Sequence, residues 1–279
     1  VGEDNTYGTF PAVGVAYKFF ENNDGALNFL KLRGNWGIVG NQEFAPNTAL
    51  ARGEYVNGGL NPTGNPNKDL KWETTTSYGV GLDFRIFENV SGSVDYFFRS
   101  TEDLIFPKPG AGNVPNDASS TTTENLPGEL QNSGVELSLT WDIIKDEDWS
   151  FSVSGNAAFL KNEMVDFPLF ISTGAISGPG LTGTYAQIIA NKLPLYTFYL
   201  NEWRGFDANG NSIYAAPDGS DTDLGGAVKI ISDKTGLPDV NYGFNINAGY
   251  KNFDFNAAFY GVAGGYIYNN TANALFYKG

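Results

Sequence analysis

Apolar and polar residues that alternate strictly along a chain cannot form an amphipathic helix, and this sequence is dominated by such runs. From Trp72 the even positions read Trp72, Thr74, Thr76, Tyr78, Val80, Leu82, Phe84 and Ile86, while the odd ones read Glu73, Thr75, Ser77, Gly79, Gly81, Asp83 and Arg85. Helical side chains return to one face every ~3.6 residues, whereas successive strand residues point to opposite faces, so the period assigns a strand. After a turn at residues 87–89, Val90, Gly92, Val94, Tyr96 and Phe98 alternate with Ser91, Ser93, Asp95 and Arg99, which makes the two runs a hairpin. The same pattern recurs at Leu30, Leu32, Trp36 and Ile38, at Val135, Leu137, Leu139 and Trp141, and at Tyr242, Phe244, Ile246, Ala248 and Tyr250. It then turns at residues 251–252 into Phe253, Phe255, Ala257 and Phe259. About ten strands are expected and no helix, which is an all-β chain.

Composition removes many chemistries. The 279 residues contain no cysteine and no histidine, which excludes disulfide scaffolds, thiolate metal sites, Ser-His-Asp and Cys-His triads and imidazole-based zinc sites. A net charge of −14 would repel a phosphate backbone, so no nucleic-acid partner is expected. The longest apolar run, residues 193–200, is broken by Pro194 and Thr197 and falls far short of the ~20 residues a spanning helix needs. The mean hydropathy of −0.25 is polar, but membrane barrels also average to polar because lipid-facing and lumen-facing residues alternate.

The strands read as ~9–11 residues, the length that crosses a bilayer at a tilt. Aromatics lie on the apolar face near strand ends (Trp72, Phe84, Tyr96, Phe98, Trp141, Tyr250, Phe253), and the other face carries Gly, Ser, Asn and Asp, as a wet lumen would. Connections alternate in length. Short ones at 87–89, 145–148 and 251–252 alternate with long, Gly-, Pro- and acid-rich ones at 42–70, 101–131 and 162–195. Outer-membrane barrels have this asymmetry. A secreted or surface β-sandwich module that binds glycans is the alternative from another class, and it requires Tyr78, Val80, Leu82 and Phe84 to pack on a second sheet. A complete small barrel of eight to ten strands is a third reading.

Several stretches resemble the barrel of the SusC/RagA family of TonB-dependent outer-membrane transporters. They are LKLRGNWGIVGNQ (30–42), LKWETTTSYGVGLDF (70–84), VDYFFRSTEDLIF (94–106), NSGVELSLTWDII (132–144) and the stretch from Pro238 to Asn269 that contains YKNFDF, all in family order. The resemblance implies an antiparallel transmembrane β-barrel of about 22 strands, of which residues 1–279 supply about ten. The plug domain, TonB box and remaining strands are expected elsewhere, because the stretch ending ANALFYKG has no closing aromatic strand. It further implies import of oligosaccharides or peptides across the outer membrane of a Gram-negative bacterium. TonB and a SusD-like surface lipoprotein would be partners, lipid would surround the barrel, and no cofactor or covalent chemistry is implied.

Two groups of residues could carry a site of another kind. Asp207, Asn209, Asn211, Asp218, Asp221 and Asp223 offer the hard oxygens that Ca²⁺ takes, but Ser212 stands where an EF-hand loop needs glycine, and Asx turns account for the same residues. Glu43, Glu54, Glu73, Asp103 and Glu124 could pair as glycosidase carboxylates, yet no spacing ties two of them together and they are read as loop or strand-end residues. No catalytic residue and no metal ligand is therefore assigned. Tyr55, Phe106, Phe170 and Tyr185, in the long connections, could stack on sugar rings or anchor loops.

Overall fold

The computed structural model describes residues 1–22, 25–43, 47–109, 121–178 and 181–276. Eight antiparallel strands form one continuous wall. In chain order they begin with β1 (Ala12–Glu21) and β2 (Leu27–Asn41). A side hairpin of β3 (Arg52–Val56) and β4 (Gly59–Asn65) intervenes before β5 (Glu73–Ile86), β6 (Val90–Pro109), β7 (Thr121–Lys145) and β8 (Trp149–Val165). Next come seven short strands outside the wall: β9 (Ile171–Gly178), β10 (Leu181–Ile189), β11 (Thr197–Asn201), β12 (Trp203–Phe206), β13 (Ser212–Ala215), β14 (Asp221–Thr222) and β15 (Lys229–Thr235). The wall resumes with β16 (Val240–Tyr250) and β17 (Phe253–Ala263), and a short helix α1 (Asn270–Phe276) comes last. The wall order is β1-β2-β5-β6-β7-β8-β16-β17, and with β3 and β4 attached the sheet has ten strands.

The expected hairpins are all present, with register set by their turns. Ile86 pairs with Val90 across the 87–89 turn, where Phe87 (φ 48°) and Glu88 (φ 61°) take the left-handed conformations that match strand twist. Asp146 caps the next turn by accepting from the amides of Asp148 and Trp149 at 3.1 and 2.7 Å. Tyr250 pairs with Phe253 around Lys251 (φ 52°). These turns and the β1–β2 connection lie at one end of the wall, and the long connections lie at the other.

Two expectations are corrected. β1, β16 and β17 have the expected 10 or 11 residues, but the other wall strands are longer: β5 has 14, β2 has 15, β8 has 17, β6 has 20 and β7 has 25. Of the 101–131 stretch, expected as a loop, residues 101–109 and 121–131 are the far part of the β6–β7 hairpin, with Thr101 opposite Leu130 and Phe106 opposite Glu124, while 110–120 lie outside the described residues. Its residues do not alternate apolar with polar, Leu104, Ile105 and Phe106 being consecutive and Thr121 to Asn125 all polar, so hydrophobic periodicity could not report it. The 42–70 connection contains the β3–β4 hairpin, and the third long connection runs from 166 to 239, well past residue 195, and folds into two further sheets.

The wall's apolar face is uncovered. Val80 is 56% exposed, Tyr96 51%, Leu139 49% and Phe259 50%, and each lies in a row of apolar neighbours across strands. One row reads Tyr17, Leu32, Leu82, Val94, Leu137, Ala157, Tyr242. The sandwich reading needed Tyr78 and Val80 under a second sheet, and their exposure removes it. Aromatic rings border the band. Trp149 and Tyr250 lie 4.2 Å apart at the short-turn end, and Tyr78 and Phe98 6.4 Å apart at the other. Level with Phe98 the same face already carries Ser133 and Lys161, and beyond it Ser100. Most of the well-buried side chains lie at the long-connection end, where Met164, Phe167, Ile188, Phe198 and Ala215 are each below a tenth exposed, while Asn28 is buried at the short-turn end and accepts from Glu88 N. There the sheet β15-β11-β10-β9 is stitched to the top of β8 by Met164 N donating to Leu193 O (2.9 Å) and Leu195 N donating to Asn162 Oδ1 (2.8 Å).

Candidate functional site on the polar face of the wall

The opposite face is built by the odd positions of β5 and their cross-strand partners. One row reads Ala16, Arg33, Gly81, Asp95, Glu136, Ala158, Asn241, and the next reads Lys18, Lys31, Asp83, Ser93, Ser138, Asn156, Gly243. Register puts Arg33 of β2 within reach of acids on β5 and β6. Its Nε donates to Asp83 Oδ2 at 2.9 Å and its Nη2 donates to Asp83 Oδ1 at 2.7 Å, and the same Nη2 lies 2.9 Å from Asp95 Oδ1. Lys31 Nζ adds a longer contact to Asp83 at 3.7 Å. Gly81 lies beneath this cluster: a Cβ there would overlap Asp95 Oδ1 and sit 3.0 Å from Arg33 Cζ. The two carboxylates that bracket Arg33 would repel at this spacing without it, so a single guanidinium ties three strands together.

Charge is distributed unevenly over this face. Lys31, Arg33, Asp83, Arg85, Asp95, Arg99 and Glu136 all belong to β2, β5, β6 and β7. Between Trp149 and Ala158 on β8, and along all of β16, there is no charged residue, and β17 contributes only Asp254 beside its turn. Amides and hydroxyls take over instead. Asn256 Nδ2 donates to Asn247 Oδ1 at 2.5 Å, and Asn247 Nδ2 lies 3.5 Å from Ser152 Oγ. The alternation assigned the polar residues of β2, β5, β6, β7, β16 and β17 to one face, but it did not reach β8, the ion cluster or the charge division. Alternation reports a face, while only register reports which residues share a row.

The candidate oxygen ligands do not converge. Asp207 Oδ1 accepts from the amides of Asn209 (2.8 Å) and Asn211 (2.7 Å), and its Oδ2 accepts from Asn211 Nδ2 (2.9 Å), which hold its carboxyl below the usual aspartate range. Asp218 Oδ1 accepts from Ser220 N and Oγ, Asp221 pairs with Arg204 at 3.1 Å, and Asp223 Oδ1 accepts from Gly226 N. These are turn-forming and strand-locking contacts. Among the described residues no three acidic side chains are grouped as a metal site would group them.

Four of the candidate glycosidase carboxylates come to the long-connection ends of the adjacent strands β2, β5, β6 and β7, and the fifth, Glu54, lies on the side hairpin. Glu73 accepts from Asn41 Nδ2 (3.1 Å) and Ile105 N (3.3 Å), Asp103 sits at a β6 bulge with φ 54° and 3.8 Å from Lys71, and Glu54 is exposed on β3. Glu43 lies just past β2, its amide donating to Asn41 Oδ1, and Glu124 is the fourth residue of β7, near that strand's start. Of the loop aromatics, Tyr55 is 82% exposed on β3 and Tyr185 is exposed on β10. Phe170 packs edge-on to Tyr199 at 5.3 Å, and Phe106 lies within β6.

A sheet with one bare apolar face, a polar opposite face and turns sorted by length to its two ends is the wall of a membrane barrel. Comparison with known proteins agrees: residues 2–275 match the family described as TonB dependent receptor-like, beta-barrel. The chain belongs to that family. TonB-dependent receptor P3 of Formosa agariphila is 32% identical over 96% of the chain, and TonB-dependent receptor SusC of Bacteroides thetaiotaomicron is 29% identical over 97%. The chain spans 29% of the length of each of these two relatives. Its fold is similar to that in the structure of the RagAB peptide importer in the closed-closed state, with a TM-score of 0.77 at 24% identity over 95% of the chain and 30% of that one. The expected homology to SusC- and RagA-type receptors therefore holds, and the family is one of receptors and transporters, not of enzymes.

Proposed function

We propose that residues 1–279 are one sector of the barrel of an outer-membrane importer that takes up oligosaccharides or peptides. The exposed apolar face of the wall carries this reading, because in water it would leave rows of Val, Leu, Tyr and Phe unburied, whereas in lipid it is already in its solvent. β1 and β17 stand at the two edges of the sheet. Lipid does not tolerate unpaired backbone amides, so further strands of the full-length protein would complete the barrel at these edges. The short-turn end faces the periplasm, and the sheets of residues 166–239 stand on the outer side. The likeness to SusC and to RagAB supports a SusD-like lipoprotein over that outer end, with TonB acting from the periplasm through parts of the protein outside this sequence.

The test is fractionation of the full-length protein with and without heating. We expect recovery in the outer membrane, a detergent-gel mobility that shifts on boiling, and co-purification of a surface lipoprotein. Recovery of the full-length protein as a soluble monomer would overturn the reading.

A further inference from the structure

We draw no further inference here: the strongest candidate, the exposed aromatic pair of Trp203 and Phe206 on the three-stranded sheet β12-β13-β14, their rings 5.3 Å apart, carries nothing because nothing in the structure shows what covers that face.

Discussion

Arg33 on β2 grips Asp83 on β5 in a two-point ion pair, with Nε–Oδ2 at 2.9 Å and Nη2–Oδ1 at 2.7 Å, while the same guanidinium also reaches Asp95 on β6. Removing it by Arg33→Ala leaves two carboxylates side by side. The side chains are about a third exposed, so the cost is discounted from that of a buried charge and is expected at about 1–2 kcal/mol. Urea unfolding of the full-length barrel in detergent, read by heat-modifiable mobility, measures it. A double-mutant cycle with Asp83→Ala should return a coupling of about 1 kcal/mol.

Gly81 is the space into which that ion pair fits. A methyl group there would overlap Asp95 Oδ1, so Gly81→Ala is expected to push Asp95 off Arg33 while the Asp83 contact survives. The loss should be about 1 kcal/mol, and Gly81→Val, which also crowds the guanidinium, about 1–3 kcal/mol. The same unfolding assay applied to both variants gives the order, and equal stability of Gly81→Val and the parent would refute this packing.

The two faces should respond oppositely to charge. Leu82 lies in the middle row of the apolar band, and Leu82→Arg is expected to cost about 2–4 kcal/mol and to lower assembled barrel in the outer membrane. Phe98→Arg, at the border of the band, should cost about 0–1 kcal/mol by the same rule. Ser93→Arg, on the polar face of the strand next to Leu82, should assemble normally. Quantified heat-modifiable protein in membrane fractions distinguishes the three.

Asp207 supplies a prediction about pH. Its carboxylate is favoured by the side-chain amide of Asn211 and by backbone amides, so its folded pKa is lowered. A lowered pKa means that its contribution to the turn is present above the ordinary aspartate value and is lost as pH falls through the lower folded one. The 207–211 turn should therefore stay ordered at pH values near the ordinary aspartate range and loosen only under more acidic conditions. Carboxyl carbon shifts of labelled protein should titrate below the ordinary aspartate value of 3.8, and a midpoint above it would contradict the geometry.

Much of the wall could be read from residue order alone. The 72–86 and 90–99 runs, their turn, and the hairpins at 145–148 and 251–252 were legible because each strand has one continuous apolar face and each turn is short. The far halves of β6 and β7 were not legible, since Thr122, Thr123 and Glu124 present no apolar side to lipid. Nor were the sheets within 166–239. Their strands are short and mixed, and the four-stranded sheet is anchored by buried Ile188 and Phe198 and by backbone bonds from Met164 to Leu193 and from Lys192 to Met164, which no local pattern announces. Among the site candidates, the Asx-turn reading of Asp207 and Asp218 was local and legible. The Arg33 cluster joins residues 50 and 62 positions apart.

Residue order by itself determined that the chain is a β-sheet with a lipid-type face and a polar face, because side-chain direction in a strand depends only on whether a position is odd or even. Tertiary structure decided where along each strand the neighbours meet. That choice brought Arg33 to Asp83 and Asp95, set Gly81 beneath them, and separated the charged strands from the amide strands. Parity is a property of one strand, while register is a property of two, fixed by turn geometry and backbone pairing between segments far apart in the sequence.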